Sequence, residues 1–201
     1  MTQNLQFTQD WFSNNVENWS RILKPLEGEA LNALEIGCFE GRATKWLLQN
    51  ILTHEDSKIT VIDTFEGSIE HRDGSANHDF SNTEAIFDFN VYMPFRYKVH
   101  KIKDTSFNAL TAFNTSFEAE KFDLAYIDGS HMAKDVMSDA LLVWPLVRQG
   151  GIIIFDDYAW DAYQEPRKNP RPAIDAFLDF FQDEIEVLLK EYQVIVRKVV
   201  E

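Results

Sequence analysis

The chain has a single cysteine, Cys38, in 201 residues. No intrachain disulfide can form, and no cysteine-based zinc site is spelled out. Set in a glycine turn, Cys38 reads as a small packing residue, not a nucleophile. Positive charge is also scarce, with 19 lysines and arginines against 33 aspartates and glutamates and a formal net charge of −14. Nucleic acid and anionic membrane both require a positive footprint, so both are excluded as partners. No apolar run approaches the ~20 residues of a membrane span. The opening MTQNLQFTQDW lacks the basic start and apolar core of a secretory signal, so the expected location is cytoplasmic. What is present is a 45% hydrophobic content, enough for a real core. The length suits one domain over residues 1–201.

The organising stretch is Leu31 to Arg42, LNALEIGCFEGR. It reads as a buried strand, a tight glycine turn and the start of a helix. Gly37 lets the backbone turn where a side chain would clash, and Gly41 lets a ligand or neighbouring backbone approach the first helical turn. Such turns lie at the carboxyl edge of parallel sheets, where open α/β folds bind ligands. The spacing Glu35-x-Gly37-x-x-x-Gly41 is not the G-x-G-x-x-G of a dinucleotide site. Glu35 would repel a diphosphate and suits a cationic ligand.

Before this stretch, Trp11, Phe12, Val16, Trp19, Leu23 and Leu26 recur at steps of three and four and predict a helix over residues 5–26. It caps the sheet as part of residues 1–28, and could also lid the site or meet a second subunit, which leaves a homodimer open. Ala43 to Leu52 reads as a helix. Lys58 to Asp63, KITVID, is a β-branched strand ending in an acid. Asp63 either accepts hydrogen bonds from the ribose hydroxyls of an adenosine or caps the next turn.

Residues 64–96 depart from strand–helix alternation and form an insertion at the ligand edge, part of a substrate wall. His71, Asp73, His78 and Asp79 read as solvated loop residues, and Ser81-x-x-Glu84 as a capping box. Tyr97 to Ile102 is a third strand. Asp104 and Thr105 fall where they could reach the adenine, and Ser106 could equally cap the helix carrying Phe107, Leu110 and Phe113.

Phe122 to Asp128, FDLAYID, is the fourth strand. The helix after it turns Val136, Ala140, Leu141, Val143 and Trp144 inward and ends at Gly150-Gly151. Ile152 to Phe155 is a central strand that stops at Asp156-Asp157. Adjacent strands lie about 5 Å apart, so Asp128, Asp156 and Asp157 should converge. Three such anions repel, and magnesium, which takes few protein oxygens, would relieve them. His131 lies at the same edge, and an ordinary pKa of about 6.5 suits a general base.

Residues 31–157 resemble the class I S-adenosylmethionine (SAM) methyltransferases, in particular the divalent-metal-dependent small-molecule O-methyltransferases. That group includes catechol-type enzymes and bacterial sugar and macrolide tailoring enzymes. EIGCFEG looks like their first motif, VIDTFEG like the ribose-binding strand end, YIDGSH like the metal-and-base strand end, and FDDY like the second pair of metal ligands. The resemblance implies cofactor contacts at Glu35, Gly37, Phe39, Gly41, Asp63, Thr64, Asp104, Thr105 and Asp128. It implies Mg²⁺ on Asp128, Asp156 and Asp157, and catalysis by His131 and Asp128. Some catechol-type relatives carry lysine where His131 stands, which leaves the base open.

At the end of the chain, Ala173 to Asp183 reads as a helix and Glu186 to Val199 as a closing hairpin. Tyr158, Trp160, Tyr163 and Arg167 either line the acceptor pocket or pack elsewhere. The expected fold is α/β, a Rossmann-like, seven-stranded, mostly parallel sheet with an antiparallel last strand and helices on both faces. The expected activity is SAM-dependent O-methylation of a small molecule, a secondary metabolite or sugar, with magnesium assistance. The alternatives are a metal-independent methyltransferase, a non-catalytic SAM-binding protein and, more remotely, a nicotinamide-dependent oxidoreductase.

Overall fold

The β-branched runs become strands at the expected places. They are β1 (Asn32–Ile36), β2 (Lys58–Asp63), β3 (Val99–Lys103), β4 (Phe122–Ile127), β5 (Val147–Phe155), β6 (Ile185–Lys190) and β7 (Val194–Lys198). In the computed structural model, which describes residues 7–68, 79–116 and 120–201, they form one sheet in the order β3-β2-β1-β4-β5-β7-β6. The β1–β2, β2–β3, β1–β4 and β4–β5 pairs are parallel. β7 runs antiparallel to both its neighbours, β5 and β6. The strand order reverses between β1 and β4, and the loops there diverge and leave a crevice.

Helices α1 (Val16–Ile22), α2 (Arg42–Asn50) and α3 (Thr83–Phe87) cover one face. Helices α4 (Ser106–Thr115), α5 (Ala133–Val143) and α6 (Pro170–Phe180) cover the other. The side chains of β1 alternate between two apolar clusters: Ala33 points to the first and Leu34 and Ile36 to the second. Among the described residues no helix is long and apolar enough to cross a membrane.

Several local expectations are revised. The first helix is shorter than residues 5–26, because Asp10 accepts the Ser13 N–H at 3.0 Å and starts a separate tight turn there. Phe12, Trp19 and Leu23 are buried as the spacing predicts, but Trp11 is 57% exposed and lies over Phe39, ring centroids 4.8 Å apart. The Ser81–Glu84 capping box does not form. Asp79 accepts the Ser81 N–H, and Glu84 turns to Lys101 and Lys103. After α3 the chain widens into a π-helical turn, Asp88–Tyr92.

The Gly150-Gly151 pair lies inside β5, which starts five residues earlier than expected. A bulge opposite Asp123 absorbs the extra residues between the Phe122–Val147 and Leu124–Ile152 pairs. Leu141, expected inward, is exposed, as is Phe107. His71, Asp73 and His78 lie outside the described residues.

Candidate active site

The carboxyl ends of the parallel strands open into a cavity of about 1660 Å³. Drug-sized ligand sites occupy ~300–1,000 Å³, so this one has room for more than one small molecule. Its floor is the turn after β1. Gly37 has φ +78°, and a Cβ there would lie 1.9 Å from the Asp128 carbonyl oxygen. Only glycine lets the β1 turn cross the tip of β4. Gly41, at φ +84°, serves another purpose, since a Cβ there would strike Val91 and Phe87. It admits the helical insertion, not a ligand, and does not line the cavity.

Glu35 lines the cavity yet is fully buried, and neither carboxyl oxygen has a hydrogen-bond partner among the described residues. Burial pushes its pKa up to about 8; the Thr44 hydroxyl works against the shift and the Asp63 charge adds to it. A buried carboxyl without partners costs free energy and awaits a donor from outside the chain. Burial likewise raises the Cys38 thiol well above its ordinary value, which agrees with a packing role.

Asp63 is less available than expected. One oxygen accepts the Cys38 and Phe39 N–H groups at 2.8 and 2.9 Å, and the other accepts Phe65 N–H at 2.7 Å. It chiefly braces the turn that carries Cys38 and Phe39, and one oxygen keeps capacity for a further donor. Phe39 and Thr64 line the cavity, with Phe39 at φ +49°. Asp104 and Thr105 also line it but are committed to the start of α4. Asp104 accepts from Thr105 N–H and Asn108, which holds its carboxyl below the usual range, while Thr105, not Ser106, caps the helix.

The three acids at the tips of β4 and β5 do meet, held by two further side chains, Tyr126 and Gln193. The Tyr126 hydroxyl bridges Asp128, at 2.8 Å, and Asp156. Asp156 also accepts Gln193 Nε2 at 2.9 Å and the Asp157 N–H at 2.7 Å. Gln193 is held in turn by Trp19 Nε1 at 2.7 Å, a bond between the first helix and the closing hairpin. Burial, then the neighbouring acids, push Asp128 well above the carboxylate range, and burial with the Asp157 charge raises Asp156 to about 6.

Asp157 takes up a left-handed backbone at φ +58°, a conformation that costs a non-glycine residue about 1–3 kcal/mol. It faces His131, with Oδ2 2.7 Å from Nε2, and accepts Tyr192 OH on Oδ1 at 2.9 Å. The imidazole stacks on Trp160 at 4.7 Å. Of the two readings left open for Trp160 and Tyr163, the structure supports the cavity wall. Tyr158 packs instead beneath Arg171 and Lys190, and Arg167 pairs with Glu165.

The donors needed for magnesium are hard oxygens, and the acid cluster supplies them, but not as a trio. Among the described residues no group of three or more His, Cys, Asp or Glu is arranged to hold a metal ion. Asp156 already accepts from Tyr126, Gln193 and the Asp157 N–H, which leaves it less open to a cation than Asp128 and Asp157. Asp128 and Asp157 remain, and magnesium is commonly held by one or two carboxylates plus substrate and water.

Two signals in the sequence were available for residues the motifs missed. Asp139 is an acid on the apolar face of α5, among Val136, Ala140 and Val143. Gln193 is a polar residue opening a buried strand and is 2% exposed.

A family model described as a methyltransferase domain matches residues 34–158. Among solved structures, the O-methyltransferase from Bacillus cereus in complex with SAH aligns at TM-score 0.66 and 18% identity, covering 97% of this chain and 85% of that one. TomG, the O-methyltransferase from Streptomyces achromogenes in complex with SAM, aligns at TM-score 0.64 and 12% identity, covering 92% and 78%. MycE, from the mycinamycin biosynthetic pathway and solved with Mg, SAH and mycinamycin VI, aligns at TM-score 0.66 and 14% identity. It is covered over only 51% of its length, against 95% of this chain. No curated protein sequence matches. With the family model spanning more than half of its length, the chain belongs to the methyltransferase-domain family, and its sheet is that of the class I SAM-dependent methyltransferases.

Proposed function

We propose that the protein transfers the methyl group of SAM to a hydroxyl oxygen of a small molecule of the secondary-metabolite or sugar kind. The observation that carries this reading is that an unpartnered buried Glu35 and a His131–Asp157 pair line one cavity. Glu35 receives the cofactor's ammonium group. The remaining capacity of Asp63 takes a ribose hydroxyl, and Phe39 and Thr64 flank the nucleoside. Asp157 orients the His131 ring through Nε2, and the imidazole accepts the acceptor's proton. The acceptor oxygen attacks the methyl carbon in line, and the carbon–sulfur bond breaks with its electron pair left on sulfur. S-adenosylhomocysteine departs, and the proton rests on His131. Alignment of the two reactants supplies much of the rate, and the aromatic wall of Trp160 and Tyr163 faces the acceptor.

Asp128 and Asp157 would hold a magnesium ion, which when bound lowers the pKa of a coordinated hydroxyl. MycE, solved with magnesium, and TomG, involved in tomaymycin synthesis, support this finer reading. Dialysis against EDTA is expected to depress turnover, and added Mg²⁺ to restore it. Full turnover in EDTA would leave His131 and Asp157 as the whole acid–base apparatus.

The overall reading is tested by calorimetry with SAM and S-adenosylhomocysteine, then by incubating SAM with a panel of hydroxylated compounds and reading methylated product by mass. Micromolar binding and transfer to at least one hydroxyl are expected. Absence of binding overturns the reading, and binding without transfer to any compound makes the protein a cofactor-binding module.

A further inference from the structure

The antiparallel strand β7 does more than complete the sheet. Its register with β5 pairs Phe155 with Val194. Continued past the strand ends, that register sets Asp156 against Gln193 and Asp157 against Tyr192. A side-chain hydrogen bond joins each pair: Gln193 Nε2 donates to Asp156 at 2.9 Å, and Tyr192 OH donates to Asp157 Oδ1 at 2.9 Å. Residues of a regular strand alternate between faces, but Tyr192 and Gln193 stand in the bend before β7 and reach the same cluster. Tyr192 is tied to this segment a second time, because its carbonyl oxygen accepts the Ala159 N–H at 3.3 Å. A phenol hydroxyl keeps its proton until about pH 10, so at neutral pH it is a donor to Asp157. The carboxylate then has one oxygen on Tyr192 and the other, Oδ2, 2.7 Å from His131 Nε2.

We propose that Tyr192 is a positioning residue for methyl transfer: through Oδ1 it fixes the Asp157 carboxylate, and Asp157 in turn aligns the His131 ring. This rests on His131 being the base in the reaction proposed above. Asp157 lies outside any regular element, so without the tyrosine its side chain could turn among its rotamers and release the imidazole. β4 and β5 deliver the base and its acid, and the closing hairpin sets the geometry between them.

The test has two arms. The first needs no acceptor: the proton between His131 Nε2 and Asp157 is followed by proton NMR and assigned by its loss in His131→Ala. Tyr192→Phe is expected to speed its exchange with water by about tenfold, the worth of one hydrogen bond to a charged group. An unchanged exchange rate overturns the proposal. The second arm is a double-mutant cycle of Tyr192→Phe with His131→Ala, with phenols and methyl glycosides as acceptors. Tyr192→Phe alone is expected to lower kcat about 10- to 100-fold, the usual loss when a group that orients a functional side chain is removed. KM and the affinity for S-adenosylhomocysteine should stay within about twofold of wild type. In the His131→Ala background the same change should cost less than about twofold, because its route to the reaction is gone. An equal loss in both backgrounds, or a raised KM with kcat kept, overturns the proposal, since the hydroxyl would then serve the fold or touch the acceptor. Turnover indifferent to His131→Ala would instead remove the histidine reading, and a wild type that methylates none of these compounds would remove the methyl-transfer reading, each taking this proposal with it.

Discussion

Replacing His131 by alanine is expected to lower kcat by about 10²- to 10⁴-fold, the range that a positioned general base contributes, while the affinity for SAM changes little. The imidazole is held on two sides: Asp157 on Nε2 and Trp160 on its face. That constraint fixes the orientation of the ring before a substrate arrives. The backbone strain at Asp157 has a use here, since an extended conformation at that residue would carry the carboxylate away from the ring. Asp157→Asn should lower kcat as well, because an amide can present an N–H to Nε2 and favour the wrong tautomer. Rates within about threefold of wild type for His131→Ala, against the range expected of a general base, would remove the histidine from the mechanism.

The second large effect concerns Glu35. Glu35→Gln is expected to weaken SAM binding about 10²- to 10³-fold, the size of the penalty for leaving one member of a buried ion pair alone. In the free protein the pKa of Glu35 is about 8, against an ordinary value of 4.5. The folded chain therefore holds a proton that the unfolded chain has released between those values, so stability falls as pH rises through that window. A cationic ligand reverses the preference by favouring the carboxylate. Binding at pH 7 should then release close to one proton, and affinity should rise with pH until about 8. Calorimetry in two buffers of different ionisation enthalpy measures the released proton directly. The Gln variant should lose that release and should also be more stable than wild type above about pH 8 when no cofactor is present. Proton release that persists in Glu35→Gln would place the linkage elsewhere.

Much of this site could be read from the chain because parallel strands announce themselves. KITVID, FDLAYID and IIIFDD each run apolar and β-branched into an acid, and strand tips in such sheets share one edge. The convergence of Asp128, Asp156 and Asp157, and the nearness of His131, followed from that regularity. What stayed hidden depends on contacts between distant residues. Trp19 reaches Gln193 across 174 positions, and Gln193 donates to Asp156, so a residue read as a metal ligand also carries a structural bond that no local pattern announces. Gly41 could be read as making way for a ligand or for neighbouring chain, and that Phe87 and Val91 fill its space depends on where the insertion folds back, which local sequence does not show. Tyr158 and Trp160 stand two residues apart with similar character, yet one packs under α6 and the other faces the cavity. Their loop has no periodicity from which to choose.

The bond between Trp19 and Gln193 has a consequence for how the enzyme comes into being. The strand that Gln193 leads into is inserted between two others and is the last of the seven to be synthesised, so the acid cluster lacks its clamp until the whole sheet has left the ribosome. A partly translated chain can build the turns after β1 and β2 but not the complete acid cluster. A chain that stops short of the closing hairpin is therefore expected to be inactive, whatever else it manages to fold.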